Sequence, residues 1–232
     1  MLDVLLPFAK AVMVVPLTLL PIINPPSVAP VFLATAGTDD TVIARLARQV
    51  AVNAFFLLAA SMLVGTYVLD FFGVSLPIVR IGGGLLVAAA GWRMLHSGQD
   101  DDVRDAAARQ TTALTHEQLQ QRSFYPLTFP LMTGPGTIAA AIALGAQVPG
   151  TPILYLAHAT VALVGAAVTA AAIYFSNRYA APLLRRLGPL GTLVMMRLAA
   201  FILLCMGIDI MWAGWLELNA QQRPLQGGLG PG

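Results

Sequence analysis

Apolar residues fill long runs along the chain, separated by short polar breaks, and the pattern predicts membrane-crossing helices. About twenty consecutive apolar residues suffice to cross the hydrocarbon layer as a helix. The first run covers about Val4 to Thr35 and is interrupted by prolines. The second, Val50 to Leu69, follows the polar GTDDT, in which Asp39 or Asp40 is suited to cap a helix. The third covers about Val74 to Leu95. After the polar stretch HSGQDDDVRDAAARQTTALTHEQLQQRS, no charged residue occurs from Ser123 to Asn177. That length fits two spans, with QVPGTP at 147–152 as the turn between them. A sixth run covers Leu190 to Leu216, and the tail QQRPLQGGLGPG reads as disordered.

One feature of the pattern conflicts with a plain membrane helix. The stretch PLTLLPIINPPSVAP at 16–30 carries five prolines, and each removes a backbone donor where lipid offers no replacement. The conflict recurs at a constant offset of 110 residues, where PLTFPLMTGPGTIAA occupies 126–140. Pro16, Leu17, Thr18, Pro25 and Ala29 fall on Pro126, Leu127, Thr128, Pro135 and Ala139. A weaker echo pairs RIGGGLLVAAAG from Arg80 with RLAAFILLCMG from Arg197. Three spans in each half force the second half to enter from the opposite face. The expectation is an all-α, polytopic fold of six transmembrane helices, built as two inverted three-helix repeats with broken first and fourth helices. Residues 1–97 form the first repeat, 98–122 a cytoplasmic linker, 123–217 the second repeat and 218–232 a tail.

Broken backbone is tolerated at membrane depth where it lines a cavity. Asn24 is a good N-cap and Pro25 suits the first helical position, so INPPS can end one half-helix and begin another. Gly134 and Pro135 can play the same parts in TGPGT. The amides of Gly136, Thr137 and Ile138 then stand at a helix start, which attracts anions. Pro25 and Pro26 instead free the carbonyls of Pro21 and Ile22, and Asn24 adds a side-chain amide. A small zwitterion would fit both breaks, with Asn24, Pro25, Ser27, Thr133, Gly134, Pro135, Gly136 and Thr137 as candidate binding residues. A pair of proline kinks with no ligand is the bland alternative.

Composition sharpens the class. Hydrophobic residues make up 57% of the chain and charged ones 10%, against about 25% in a soluble domain. A net charge of +2 gives no reason to expect a nucleic-acid partner. Arg45, Arg48, Arg93, Arg104, Arg109, Arg122, Arg178, Arg185 and Arg186 follow spans one, three and five, while the opposite loops are nearly bare. The positive-inside rule places that set in the cytoplasm and both termini outside. Asp209 lies in the sixth run, where a carboxylate by default faces a cavity or a partner; proton coupling and a structural pairing are both open. Arg80 and Arg197 begin the third and sixth spans and suit either snorkelling or gating. Asn53 suits a bond to broken backbone or a plain interhelical bond. His158 and Cys205 read as packing residues, and Asp100–Asp102 as a solvated linker. No P-loop, metal-ligand cluster or Ser-His-Asp pattern is present, so no enzyme activity, cofactor or metal is expected.

The segments LLPIINPPSVAPVFLA and YPLTFPLMTGPGTIAAAI, with the R-x-GGGLL start of the third span, resemble the signatures of the MarC family of bacterial and archaeal inner-membrane proteins. The resemblance covers nearly the whole chain. Ser27 departs from it, standing where the family pattern commonly has glycine. The family is also described as SnatA-like, and the resemblance implies transport of small neutral amino acids such as glycine or alanine across the inner membrane. A channel or exporter for another small solute, and a non-transporting membrane scaffold, are the alternatives. The small-residue faces are compatible with a homo-oligomer.

Overall fold

The structure is a computed structural model, and it describes residues 2–37, 39–96, 120–146 and 152–226. Among these residues it is helical throughout, with no strand. In chain order the helices are α1 (Leu2–Ile23), α2 (Pro25–Ala36), α3 (Asp40–Phe71), α4 (Leu76–His96), α5 (Ser123–Met132), α6 (Pro135–Gly145), α7 (Pro152–Arg178) and α8 (Ala180–Gln226). Five stretches are long and apolar enough to cross a membrane: Leu6–Ile23, Asp40–Phe71, Leu76–His96, Tyr155–Arg178 and Leu190–Ala220. Gln120–Met132 and Pro135–Gly145, bent by 71° at the break between them, make a sixth when taken as one span. Most of the expected linker, the 147–151 part of the expected turn and the last six residues of the tail lie outside the described residues.

Two helices are longer than the apolar pattern implied. α3 begins at Asp40 rather than near Val50, because Asp39 caps it: its carboxylate accepts from the Thr41 N–H and hydroxyl, each at 2.8 Å. At about 1.5 Å per residue α3 is roughly 48 Å long, more than a hydrocarbon layer of about 30 Å. Its polar first turns, which precede the apolar run from Val50, are the part suited to lie beyond that layer. α8 runs on to Gln226, past the expected end at Leu216, and is interrupted at Gly188, whose φ of 66° breaks the right-handed path.

The most extensive pairing is between α4 and α8. Residues Pro77, Gly84 and Gly91 of α4 meet Gly214, Gly207 and Ala200 of α8 in turn, so the two helices run antiparallel. Their glycines let backbones touch. A carbon added at Gly91 would lie 2.5 Å from the Leu204 nitrogen and 2.8 Å from the Ala200 carbonyl oxygen. One added at Gly207 would lie 2.2 Å from the Ala88 nitrogen and 2.7 Å from the Gly84 carbonyl oxygen. Gly91 and Gly207 are 116 residues apart, as are Ala88 and Leu204, and Gly84 and Ala200. Each contact is thus repeated with the two helices exchanged.

The same exchange holds for four further sets of pairings. α1 packs on α7 as α5 packs on α3; α3 on α6 as α7 on α2; α4 on α6 as α8 on α2; α1 on α6 as α5 on α2. Leu19, Phe32, Leu46, Leu58, Leu127, Met132 and Ile173 fill the buried centre where these elements meet. Arg178 bridges to Asp40, which puts the start of α3 and the end of α7 at one end of the bundle. The short 72–75 turn brings the end of α4, with Arg93 and His96, back to that end. Arg45, Arg48, Arg93 and Arg178 therefore share one end, while Arg80 and Glu217 pair near the other.

Candidate functional site

The first break is a single residue, Asn24. A residue preceding proline is pushed out of the right-handed helical region, so Pro25 prevents α1 from continuing through position 24. Asn24 adopts the left-handed conformation (φ 47°, ψ 59°), which asparagine tolerates better than most residues. Its N–H still donates to the Leu20 carbonyl at 2.8 Å, closing α1 with a left-handed C-terminal turn. Asn24 holds the N-cap position of α2 as expected, but its side chain makes no capping bond, and Pro25 and Pro26 leave the first two positions of α2 without an N–H to cap. The residue is 8% exposed and Pro25 is buried. Nothing is described of the Ser27 side chain. Pro7, Pro16 and Pro21 sit within α1 without ending it.

The second break is spread over α5. Tyr125 and Phe129 each precede a proline and are extended (φ −119°, ψ 123° and φ −118°, ψ 127°). Gly134, before Pro135, is extended too (φ −73°, ψ 175°). Three threonine hydroxyls add donors to carbonyls of this segment. Thr128 donates its hydroxyl to the Ser123 carbonyl at 2.6 Å, Thr133 to the Thr128 carbonyl at 3.0 Å, and Thr137 to the Met132 carbonyl at 3.4 Å. The Thr133 N–H reaches the same Thr128 oxygen at 2.7 Å. Thr128 and Thr133 are fully buried.

At the start of α6 the expectation needs one correction. The Ile138 N–H donates to the Gly134 carbonyl at 3.0 Å and is not open to a ligand. Pro135 has no N–H, so the amides of Gly136 and Thr137 are the pair in this turn without an acceptor inside the helix. Gly136 also has a packing role. A carbon added there would lie 2.1 Å from Val87 Cγ2, and one added at Gly83 would lie 2.3 Å from Ala139 Cβ. The R-x-GGGLL glycines divide accordingly: Gly83 faces α6, Gly84 faces α8, and Gly82 faces open space.

The secondary candidates fall in different places. Asn53 donates to the Ser123 hydroxyl at 3.4 Å, joining α3 to the start of α5. Arg80 pairs with Glu217 of α8. Arg197 is half-buried on α8. Asp209 does not face the interior. Gly207 and Gly214 turn one side of α8 onto α4, and Asp209, two residues from Gly207, lies about 200° around the helix on the exposed side.

Glu217 and Asn177 were not singled out in the sequence, and Thr128 and Asp40 were named there for other reasons, Thr128 as the repeat match of Thr18 and Asp40 as a possible helix cap. Glu217 and Asp40 acquire their arginines only in the fold. Asn177 is fully buried beside the second break; its amide reaches Met132 Sδ at 3.6 Å, and its Oδ1 has no hydrogen-bond partner. Among the described residues no three His, Cys, Asp or Glu side chains converge as a metal site.

Comparison with known proteins agrees with this architecture. The family described as MarC family integral membrane protein matches residues 9–218. The inner membrane protein MarC of Citrobacter koseri is 31% identical over 213 residues, covering 86% of this chain and 91% of its own. The MarC protein of Salmonella typhimurium shows the same 31% identity and the same coverage. A UPF0056 membrane protein of the archaeon Archaeoglobus fulgidus is 29% identical over 201 residues, covering 86% of this chain and 90% of its own. No solved structure matches the chain. The protein belongs to the MarC family and is a multi-pass inner-membrane protein.

Proposed function

We propose that this protein is a secondary transporter of small neutral amino acids, such as glycine or alanine, working by alternating access around its two breaks. One observation carries the reading: two interrupted helices occupy matching places in the chain, and each packs on the other's partner half, α1 on α6 and α5 on α2. A bundle that needed only six rods would not keep a left-handed asparagine before a proline pair and a threonine-patched, proline-rich segment in its interior. The exchange-related contacts of α4 and α8 support an inverted arrangement of the halves, as in carriers whose site lies between mirrored repeats.

The breaks differ in charge preference. α1 ends at the first, and Pro25 and Pro26 supply no N–H, so the free Pro21 and Ile22 carbonyls make it an acceptor for an ammonium group. α6 begins at the second, and the Gly136 and Thr137 amides suit a carboxylate. No residue of full charge is involved, which matches a ligand whose own charges cancel. Asp209 faces away from both breaks and has no part in this reading.

Reconstituted vesicles loaded with unlabelled glycine test it. Saturable counterflow of labelled glycine or alanine, weakened by Asn24→Ala and by Thr137→Val, is the expected result. Flux linear in concentration would indicate a channel, and no flux of any small neutral amino acid would end the proposal.

A further inference from the structure

A cavity of about 490 Å³ opens between the first turns of α3 and the start of α5, lined by Arg45, Arg48, Gln49, Asn53, Gln120 and Ser123, with Val52 and Phe124 as its apolar wall. It meets the second break only at its first residues, Ser123 and Phe124, and none of its lining residues belongs to the first. Among the described residues two arginines and no acid line it, with Asp39 within electrostatic reach of Arg45. Both guanidinium groups belong to exposed residues. Arg178, near the same end, is engaged by Asp40 and is not among the lining residues.

The polar groups call for more than an anion. Gln49 Oε1 is buried and has no hydrogen-bond partner, a costly state for an acceptor. Asn53 spends its amide on Ser123, whose hydroxyl donates to the Gln120 carbonyl at 2.7 Å. The cavity therefore offers two cationic forks for an anion and, just beneath its lining, one acceptor without a donor that a rotation of the Gln49 side chain can bring to the cavity. Its volume falls in the range of sites for ligands of drug-like size, well above what glycine or alanine needs.

Position narrows the ligand. Val50 to Leu69 is the apolar part of α3, and Arg45, Arg48 and Gln49 come just before it, at the depth of lipid headgroups. Basic pockets between membrane helices at that depth suit phosphate headgroups. Val52 and Phe124 are exposed and give acyl chains an apolar wall directly beside the cationic mouth.

We propose that this pocket binds a phosphate-bearing group that also carries a hydroxyl donor, the chemistry of a glycerophosphate headgroup. The phosphate sits between Arg45 and Arg48, and the hydroxyl donates to Gln49 Oε1. The proposal does not depend on transport.

Native mass spectrometry of the full chain in detergent tests it, with phosphatidylglycerol, phosphatidylmethanol and phosphatidylcholine of equal acyl chains. Phosphatidylglycerol is expected to be retained over phosphatidylcholine, with affinity falling about a hundredfold in Arg45→Gln/Arg48→Gln, the loss of two charge-assisted contacts of about tenfold each. Gln49→Met is expected to erase the preference for phosphatidylglycerol over phosphatidylmethanol, which has the phosphate without the hydroxyl. Arg185→Gln/Arg186→Gln serves as the charge-matched control and is expected to bind like the parent. A thermal shift with sn-glycerol 3-phosphate identifies the source: stabilisation that needs Arg45 and Arg48, without lipid retention, assigns the same chemistry to a soluble phosphate. Equal retention of all three lipids, or no effect of the Arg45/Arg48 change on either ligand, overturns the proposal.

Discussion

Arg178 donates to both carboxylate oxygens of Asp40, each at 2.7 Å, and so ties the end of α7 to the start of α3. Arg80 and Glu217 tie α4 to α8 near the opposite end. Both pairs join one half of the chain to the other. Arg178→Gln is expected to lower thermal stability slightly at low salt and not at all at high salt, because exposed ion pairs are weak and screened. If the pairs also close the two ends during a transport cycle, each single substitution changes the rate of glycine counterflow more than it changes stability. Equal proportional effects on both would assign them to stability alone.

The glycines of R-x-GGGLL predict opposite outcomes at adjacent positions. Gly82→Ala meets nothing within 4 Å and is expected to stabilise the helix by about 0.5–1 kcal/mol. Gly84→Ala would set its methyl 2.5 Å from the Met211 nitrogen and 2.6 Å from the Gly207 carbonyl oxygen. Backbone cannot step aside easily, so a loss of about 1–3 kcal/mol is expected. Thermal unfolding in detergent compares the two directly.

The Thr128 and Thr133 hydroxyls add donors to the Ser123 and Thr128 carbonyls, the second of which also receives the Thr133 N–H. Thr128→Val and Thr133→Val keep the shape and remove the hydroxyl, at an expected cost of about 0.5–1.5 kcal/mol each. Thr→Ser at either position is expected to recover most of that loss. Valine and serine variants melting alike would show that the hydroxyls do not satisfy the interrupted backbone.

At Asn24 backbone and side chain can be separated. Asn24→Gly accepts the left-handed turn and is expected to fold like the parent, whereas Asn24→Val is expected to lose about 1–3 kcal/mol. Counterflow should fall in both variants if the side-chain amide meets the substrate. Full transport by Asn24→Gly would leave Asn24 with a backbone role only.

Asp39 brings a pH dependence outside the membrane. The hydroxyl and amide of Thr41 bond to its carboxylate and hold its pKa below the ordinary aspartate range. Folded-state depression means that the stabilisation is fully present above the unfolded aspartate pKa of about 3.9 and is lost as pH falls through the lower folded value. Asp39→Ser keeps a capping oxygen and is expected to flatten that part of the acid-unfolding curve. An unchanged curve would remove Asp39 from the account.

Much of this protein was legible in the sequence because its environment is simple. Lipid offers no hydrogen bonds, so each long apolar run must be a helix, and each proline cluster inside one must be an interruption. The six runs and the two breaks follow from that single constraint, and the resemblance to the family rests on the motifs at the breaks. Pre-proline sterics even placed the breaks at Asn24 and Gly134. Other features depend on partners far away in the chain. Asp209 looked like an interior carboxylate because hydropathy reports depth and not direction; only the packing of Gly207 and Gly214 on α4 turned it outward. The Thr128 hydroxyl, the Arg80–Glu217 pair and the cavity beside Gln49 likewise exist only once helices distant in sequence are set side by side. Local chemistry therefore decided what crosses the membrane and where it breaks, while tertiary packing decided which polar groups meet, since meeting depends on the rotation of each helix about its own axis.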